Sequence, residues 1–312
     1  MDKAFLGDEP ELSLYHSDVR QVIFKLEGLC RLYKKIYDKN YFKSLQNEFK
    51  LLEDQLGKID FYDAYWQEFS AIKDFPIQLL NSIKQDYFNE LNTLKELIQT
   101  NDWKNPNQKF ELIIEKIDGI EWLQDDQERL AVAKVVAKQV SKIKDKYKSG
   151  ELNFNDIELG LHEFRRKIRW ISIYAIALDG LIQLQKDDYD QFLKKYLTKE
   201  VLKNKFNHLP AIKKDIKPIY LSQSAFYALS WLISESGKMK DHGLKLVLID
   251  ELQKISGEDD KIVLEKLMLS FSKEKPSGLN EIIDKIKFEA DHFIYTDKVL
   301  DILMKDLNSV SN

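Results

Sequence analysis

The stretch LHEFRRKIRW, residues 161–170, runs directly into ISIYAIALDGLIQL, residues 171–184. On a helix that advances about 100° per residue, four basic or potentially basic side chains of the first stretch share one face. They are His162, Arg165, Arg166 and Arg169. From Trp170 onward the same helix is apolar nearly all round, as expected of a helix that is buried. Because clustered cations are costly to bury without compensating anions, the basic face is predicted to line a cleft.

The composition indicates a mainly helical chain of globular type. Of the 312 residues, 44% are hydrophobic and 32% are charged, which is typical of a globular protein. The chain has only 11 glycines and 6 prolines. Because sheets and their turns use both residue types heavily, this low number favours an all-α fold.

Net charge, cysteine content and apolar runs argue against several classes of protein, namely nucleic-acid-coating, disulfide-bonded, secreted and membrane-spanning proteins. A net charge of −4 argues against a nucleic-acid-coating protein, which is usually strongly basic, so no specific nucleic-acid partner is predicted. Cys30 is the only cysteine, which excludes an internal disulfide and fits a reducing compartment. No secretory signal is recognised, and no apolar run reaches the roughly 20 residues of a membrane span. A cytoplasmic location without a membrane partner is therefore predicted.

Helical periodicity continues along nearly the whole chain and predicts a bundle of roughly ten or more helices. Gly57 is interpreted as a left-handed cap at the end of the second helix. One helix carries Lys134, Lys138 and Lys142, whose four-residue spacing places them along one edge. The predicted helices are residues 14–37, 40–56, 61–72, 77–100, 110–122, 126–147 and 156–185, then segments near 189–206, 222–236, 241–255, 259–272 and 278–308.

The chain lacks the sequence signatures of the commoner enzymes. HExxH, CxxC, a glycine-rich phosphate loop, a G-x-S-x-G elbow and the kinase motifs are absent, and the five histidines are scattered. No catalytic residue, metal or cofactor is predicted, and the chain is interpreted as a non-enzyme. For the basic cluster alone, a solvated face whose cations pair with nearby glutamate and aspartate stays an alternative.

The quoted stretch resembles the opening helix of the CHAD family, an all-helical domain named for its histidines. That helix begins with a His-x-x-Arg-x-x-x-(Lys/Arg) pattern, which His162, Arg165 and Arg169 reproduce. Trp170 and Ser172 stand at two further positions that are usually basic in the family.

A more diverged copy of the same pattern lies near the start of the chain. Arg20 and Lys25 fall on basic positions of the opening helix, whereas Ser17 stands at the histidine position. The family's Leu-Gly-x-x-Arg-Asp turn is similar to SGKMKD at residues 236–241 and to LGKIDF at residues 56–61.

The resemblance implies a single CHAD-like domain over residues 10–310. Its first repeat would cover about residues 10–100, a connecting helical region about 105–124, and its second repeat about 125–310. The two repeats would form helical half-bundles related by a pseudo-twofold axis, with a basic cleft between them.

The resemblance also implies that this cleft binds inorganic polyphosphate without catalysis. Arginine forks match phosphate oxygens, and binding of a linear polyanion should weaken steeply with salt. The predicted polyphosphate-binding residues are Arg20, Lys25, Arg31, Lys134, Lys138, Lys142, His162, Arg165, Arg166, Arg169 and Lys240.

Two other functions stay open on the sequence alone. One is a degenerate CHAD-like helical scaffold that binds a protein partner, with reduced or lost polyphosphate binding. It is favoured by the loss of cations at Phe24, Glu27, Asp60, Trp170 and Ser172. The other is an enzyme acting on phosphate chains, which would need carboxylates that hold a divalent ion, and no such cluster stands out.

Overall fold

The computed structural model describes residues 9–17, 19–100, 103, 105–152, 154, 156–188, 190–214, 216–271 and 278–310. Residues 18, 189 and 272, which fall in predicted helices, lie outside the described residues. Most of the described chain is helical, so the prediction of a mainly helical protein is confirmed. Within the described ranges, no helix combines the length and the apolar character that crossing a bilayer requires.

The chain divides into two compact units. The first unit takes in the chain up to Trp122 together with Glu251–Leu267. The second unit takes in Leu123–Asp250 and the chain from Met268 onward.

The first unit is organised around one long helix, α3. In chain order its helices up to Trp122 are α1 (Pro10–His16), α2 (Val19–Tyr33), α3 (Lys39–Ser70), α4 (Ile77–Thr100) and α5 (Pro106–Asp118). The Asp38 side chain begins α3 by accepting hydrogen bonds from the free N–H groups of Asn40 and Tyr41. α3 packs against α2 and α4 through a stripe of apolar side chains at helical spacing. Its buried apolar residues are Phe42, Leu45, Phe49, Leu52, Leu56, Ile59, Tyr65 and Phe69.

Several helix boundaries predicted for the first unit are wrong. The helix predicted over residues 110–122 begins at Pro106 and ends at Asp118. The helix predicted over residues 14–37 is interrupted at Ser17, whose backbone is extended, and it ends at Tyr33. The predicted helices 40–56 and 61–72 are one helix, since α3 continues without a break through Gly57 to Ser70. Gly57 is therefore not a left-handed cap.

The second unit begins with two helices that pack against each other, α6 and α7. α13 packs against α6 and against the strand β2. α10 and α11 each contribute residues to both units. The elements in chain order are α6 (Asp125–Lys148), a π-helix (Ile157–His162), α7 (Glu163–Ala177), β1 (Ile182–Gln185), α8 (Asp190–Leu193), a 3-10 turn (Lys194–Tyr196), α9 (Lys199–Lys203), a 3-10 turn (Lys205–Asn207), β2 (Ile219–Ser222), α10 (Gln223–Ile255), α11 (Glu258–Phe271), α12 (Leu279–Asp291), a π-helix (His292–Thr296) and α13 (Val299–Ser309).

A short parallel sheet replaces the end of the helix that was predicted to reach residue 185. α7 ends at Ala177 because Asp179 and Gly180 adopt positive φ angles of 45° and 102°, which a helix cannot continue through. The chain then forms β1, which pairs in parallel with β2, Ile182 lying opposite Ile219. The helix predicted to reach residue 185 therefore ends at Ala177, and the short sheet is a small addition to a mainly helical chain.

Four further predicted segments differ from the structure. The predicted helices near 222–236 and 241–255 are one helix, α10. The segment near 189–206 is a series of short helical turns rather than one helix. The segment near 278–308 is broken at Lys298, whose φ angle is 52°.

A buried polar cluster joins the carboxyl ends of the two strands to the start of α10. The Asp187 carboxylate accepts hydrogen bonds from the hydroxyls of Ser222 and Ser224, at 2.6 and 2.5 Å, and from the Ser224 backbone N–H. Asp306 on α13 accepts the Ser222 backbone N–H at 2.7 Å. Burial raises the pKa of Asp306 and Asp187 raises it further, whereas the Ser222 N–H and Lys305 oppose them. The cluster thus fixes the amino-terminal end of α10 to both strands and to α13.

Candidate functional site

In the first unit, Arg20 of α2 is held by two carboxylates of α3. Its Nε and Nη2 atoms donate to Glu53 Oε1 at 3.1 and 2.9 Å. Its Nη1 atom donates to Asp60 Oδ2. The Glu53 side chain is only 12% exposed, so this pair is partly shielded from water. The positive charge of Arg20 is therefore compensated within the unit.

Gly57 allows this arrangement because it lies beneath the Arg20 guanidinium. A Cβ atom at Gly57 would stand 2.7 Å from Arg20 Nη2, closer than such atoms approach in proteins. Glu53 lies four residues before Gly57 and Asp60 three residues after it, so all three share one face of α3. The glycine therefore serves a close side-chain approach rather than the end of a helix.

In the second unit, Arg165 of α7 packs over Gly237 of α10 in a similar way. A Cβ atom at Gly237 would stand 3.1 Å from both Nε and Nη2 of Arg165. Arg165 Nε donates to the backbone carbonyl of Ile233 at 3.1 Å. Burial lowers the pKa of the Arg165 guanidinium, and the charge of Asp241 partly offsets this effect.

The two units thus share one local packing motif. In each unit an arginine of the opening helix crosses a glycine of a long helix. In each unit the arginine Nε donates to the residue four positions before that glycine, Glu53 in one case and Ile233 in the other. The residues predicted as family turns, 56–61 and 236–241, are therefore helical crossing points.

The other predicted cations of the first unit differ in their surroundings. Lys25 is exposed on α2. The Arg31 guanidinium lies 3.7 Å from the buried Glu27 carboxylate, which also accepts from Gln46 Nε2 at 3.1 Å. Burial raises the pKa of Glu27, although Gln46 and Arg31 oppose that rise. Of the two cations, only Lys25 stands open to a ligand.

Around Arg165, the neighbouring predicted cations of α7 and α10 contact acids of the same unit. Arg166 Nη2 lies 2.7 Å from Glu163, which also contacts Lys167 at 2.5 Å. Although burial raises it, the pKa of Glu163 lies below its ordinary value because Lys167 and Arg166 stabilise its charge. Lys240 Nζ lies 2.8 Å from Asp241. These pairs agree with the alternative hypothesis for the basic cluster, in which its cations pair with nearby glutamate and aspartate.

His162 and Arg169 are partly buried on the same stretch of chain. His162 is the last residue of the first π-helix, and Arg169 lies two turns farther along, on α7. Both side chains lie between fully exposed and fully buried.

Lys134, Lys138 and Lys142 are exposed along α6. α6 packs against α7, and Tyr174 of α7 donates a hydrogen bond to Gln139 Oε1 at 2.6 Å. Among the described residues, none of the three lysines has an ion-pair partner within 4.0 Å. They form the most open row among the predicted cations.

The predicted residues therefore fall in two separately described groups. Arg20, Lys25 and Arg31 belong to the first unit, and the other eight belong to the second. That they line one shared cleft stays a prediction.

Sequence reasoning did not identify the acids that neutralise Arg20. Glu53 and Asp60 lie 33 and 40 residues away from it along the chain. The available signal was the placement of both acids on the helical face of Gly57. The lysine-rich residues 190–207 of the second unit are not among the sites that the sequence predicts.

A scan of protein-family models finds no match to this chain, and searches of curated proteins and of solved structures likewise find none.

Proposed function

We propose that this chain is a CHAD-like helical scaffold for protein–protein interaction, built from two diverged repeats and without catalytic activity. The observation that carries the proposal is the pairing of Arg20 with Glu53 and Asp60. Arg20 occupies a basic position of the family that the chain resembles, and here its ion pairs join α2 to α3.

The negative charges of Glu53 and Asp60 oppose the binding of a polyanion at Arg20. A phosphate chain that approached Arg20 would come close to both carboxylates, and like charges repel at this range. To displace Glu53 it would have to leave a carboxylate that is only 12% exposed without its cation, which is costly. Arg20 is therefore better suited to a structural role than to a ligand.

The proposal of two diverged repeats is supported by the arginine-over-glycine packing in both units. Arg20 and Gly57 in the first unit correspond to Arg165 and Gly237 in the second. The pseudo-twofold arrangement and the cytoplasmic location stay predictions.

Exposed apolar side chains support a role in protein interaction. In the second unit, Phe192, Leu202 and Phe206 are exposed within one short segment. Neighbouring apolar side chains held in water commonly mark the surfaces that bind partners.

The scaffold proposal predicts a protein complex that polyphosphate does not displace. We expect the tagged whole chain, purified from its own cells, to carry a protein partner at a fixed molar ratio. Mass spectrometry and light scattering before and after addition of long-chain polyphosphate measure this ratio. Release of the partner by polyphosphate, or a chain that is always recovered without a partner, would contradict the proposal.

A second candidate, non-catalytic binding of inorganic polyphosphate, is favoured by the open row of Lys134, Lys138 and Lys142. Its spacing along one edge of α6 suits a linear chain of charges. Because no acid pairs with this row among the described residues, a polyanion would meet no local competitor there.

Calorimetric titration with long-chain polyphosphate at low salt tests this second candidate. If the row binds, changing Lys134, Lys138 and Lys142 together to glutamate should weaken binding by at least about tenfold, and added salt should weaken the wild type steeply. The matched control is Lys285→Glu with Lys287→Glu, two exposed lysines of α12 in the same unit. Equal losses in both variants would remove the row as a site.

A further inference from the structure

Residues 190–207 of the second unit form a segment of short helical turns whose inner side is fixed. Leu193, Tyr196, Val201 and Asn207 are buried. The Tyr196 hydroxyl donates to Asp297 at 2.5 Å, and the Asn207 side-chain amide donates to the carbonyl of Val201 at 2.8 Å. Because these contacts hold the inner side, the outer side presents a defined surface.

The outer side of this segment holds large apolar side chains in water. Phe192 is 75% exposed, Leu202 is 48% exposed and Phe206 is 43% exposed. The return of Asn207 to Val201 places Leu202 and Phe206 on adjoining turns. The segment has a buried side that accommodates other apolar residues. Phe192, Leu202 and Phe206 are therefore exposed although a core is available to the segment.

The same outer side is positively charged, in a protein whose net charge is −4. It carries five exposed lysines, at positions 194, 195, 199, 203 and 205, against one exposed acid among the described side chains, Glu200. Glu200 is already paired with Lys238 of α10 at 2.9 Å, and Lys195 with Asp297 at 2.6 Å. The other four lysines are exposed, and they have no ion pair within the part of the chain that the structure describes.

We propose that this surface docks an acidic peptide segment of a partner protein, one in which aspartate or glutamate alternates with leucine or phenylalanine. Here we extend the scaffold proposal, on which this inference rests, to a surface and a partner chemistry. The acids of the partner would meet Lys194, Lys199, Lys203 and Lys205, while its apolar side chains would cover Phe192, Leu202 and Phe206.

The exposed apolar side chains favour an acidic peptide over other polyanions as the partner. Inorganic polyphosphate has no apolar groups, so its binding would leave Phe192 and Phe206 in water. Single-stranded nucleic acid uses aromatic side chains for base stacking, but the aliphatic Leu202 offers no stacking surface. An acidic peptide with apolar side chains satisfies both features of the surface.

Fluorescence anisotropy of the whole chain with labelled synthetic peptides tests the proposal. The main probe alternates glutamate with leucine and phenylalanine. One control peptide replaces every apolar residue by serine at the same charge, and the other replaces every glutamate by glutamine. We expect both control peptides to bind at least about tenfold more weakly than the main probe, as loss of anchoring contacts or of charge pairs would produce.

Two variants of the protein localise the binding. Phe192→Ser with Phe206→Ser removes exposed apolar groups, and Lys199→Glu with Lys203→Glu reverses exposed charges, so neither change disturbs the buried side. We expect each pair to weaken the main probe by at least about tenfold. Lys285→Glu with Lys287→Glu, on exposed α12 positions, should leave it unchanged.

Any one of three binding results would overturn the proposal. They are undetectable binding of the main probe, equal binding of the serine control peptide, and tighter binding of vesicles rich in anionic lipid or of single-stranded RNA. Failure of the scaffold proposal looks different, because the co-purified complex would then be absent or displaced by polyphosphate. A complex that persists in both surface variants would reject this surface and leave the scaffold proposal standing.

Discussion

Replacing Gly180 by alanine should lower the free energy of unfolding by about 3–5 kcal/mol. Gly180 has a φ angle of 102°, and a Cβ atom there would stand 2.5 Å from the backbone oxygen of Ala211. Both the backbone strain and the clash fall on main-chain atoms, which cannot move aside as a flexible side chain can. The neighbouring Pro210 carbonyl is also fixed, since it accepts from Gln183 Nε2 at 2.8 Å.

Gly150 is the matched control for this prediction. Its φ angle of 74° is also left-handed, but a Cβ atom there would meet nothing within 4 Å. Gly150→Ala should therefore cost only the conformational strain, about 1–2 kcal/mol. Thermal and urea unfolding of the two variants measure the difference. Equal losses would show that the chain does not pass as closely by Gly180 as described.

Replacing Asp187 by alanine should lower the free energy of unfolding by about 3 kcal/mol. Its carboxylate accepts three hydrogen bonds from Ser222 and Ser224, and Ser224 is fully buried. Removing the carboxylate leaves donors without their acceptor and takes a negative charge from the start of α10, where the helix dipole favours it. Urea unfolding at neutral pH measures the loss.

Asp306→Asn, in the same cluster, should instead raise the free energy of unfolding at neutral pH. The folded pKa of Asp306 is raised, first by burial and then by Asp187. Its protonation therefore stabilises the fold below the ordinary aspartate pKa of about 3.9, and this contribution is lost as the pH rises through the raised value. Asparagine can still accept the Ser222 N–H without the charge. We expect a gain of about 1 kcal/mol at pH 7 and a flatter dependence of stability on pH.

A different pattern would contradict this description of the cluster. If Asp187→Ala were neutral, the two serine hydroxyls would have other acceptors. If Asp306→Asn destabilised the protein at pH 7 as much as Asp187→Ala does, the charge of Asp306 would be useful rather than costly.

The helical class could be read from the sequence because sparse glycine and proline and helical periodicity agree along most of the chain. The sheet could not, because the alternation of apolar and polar residues at Ile182–Gln185 covers only four residues, too few for periodicity to separate a strand from a helix. The pair Asp179-Gly180 was the available stop signal, but it lay inside an apolar run that otherwise continued the helix.

Glycines account for the two places where one long helix is predicted as two. Gly57 is predicted as a helix cap and the family resemblance predicts turns at residues 56–61 and 236–241, yet both glycines lie within helices. Their actual role depends on an arginine from another helix, which only tertiary packing brings into place. The sequence thus predicts which basic residues are candidates, but it does not predict which acids pair with them. For Arg20, the register of α2 against α3 decides which acids lie within reach.

The most direct test of the central claim, that Arg20 serves the fold rather than a ligand, is the melting temperature with and without long-chain polyphosphate at low salt. We predict that Arg20→Gln lowers the melting temperature, corresponding to about 1 kcal/mol of stability, and leaves unchanged any rise that polyphosphate causes. Lys25→Gln, at an exposed position on the same helix, should not lower it. An Arg20→Gln protein that melts like the wild type but no longer responds to polyphosphate would contradict the account.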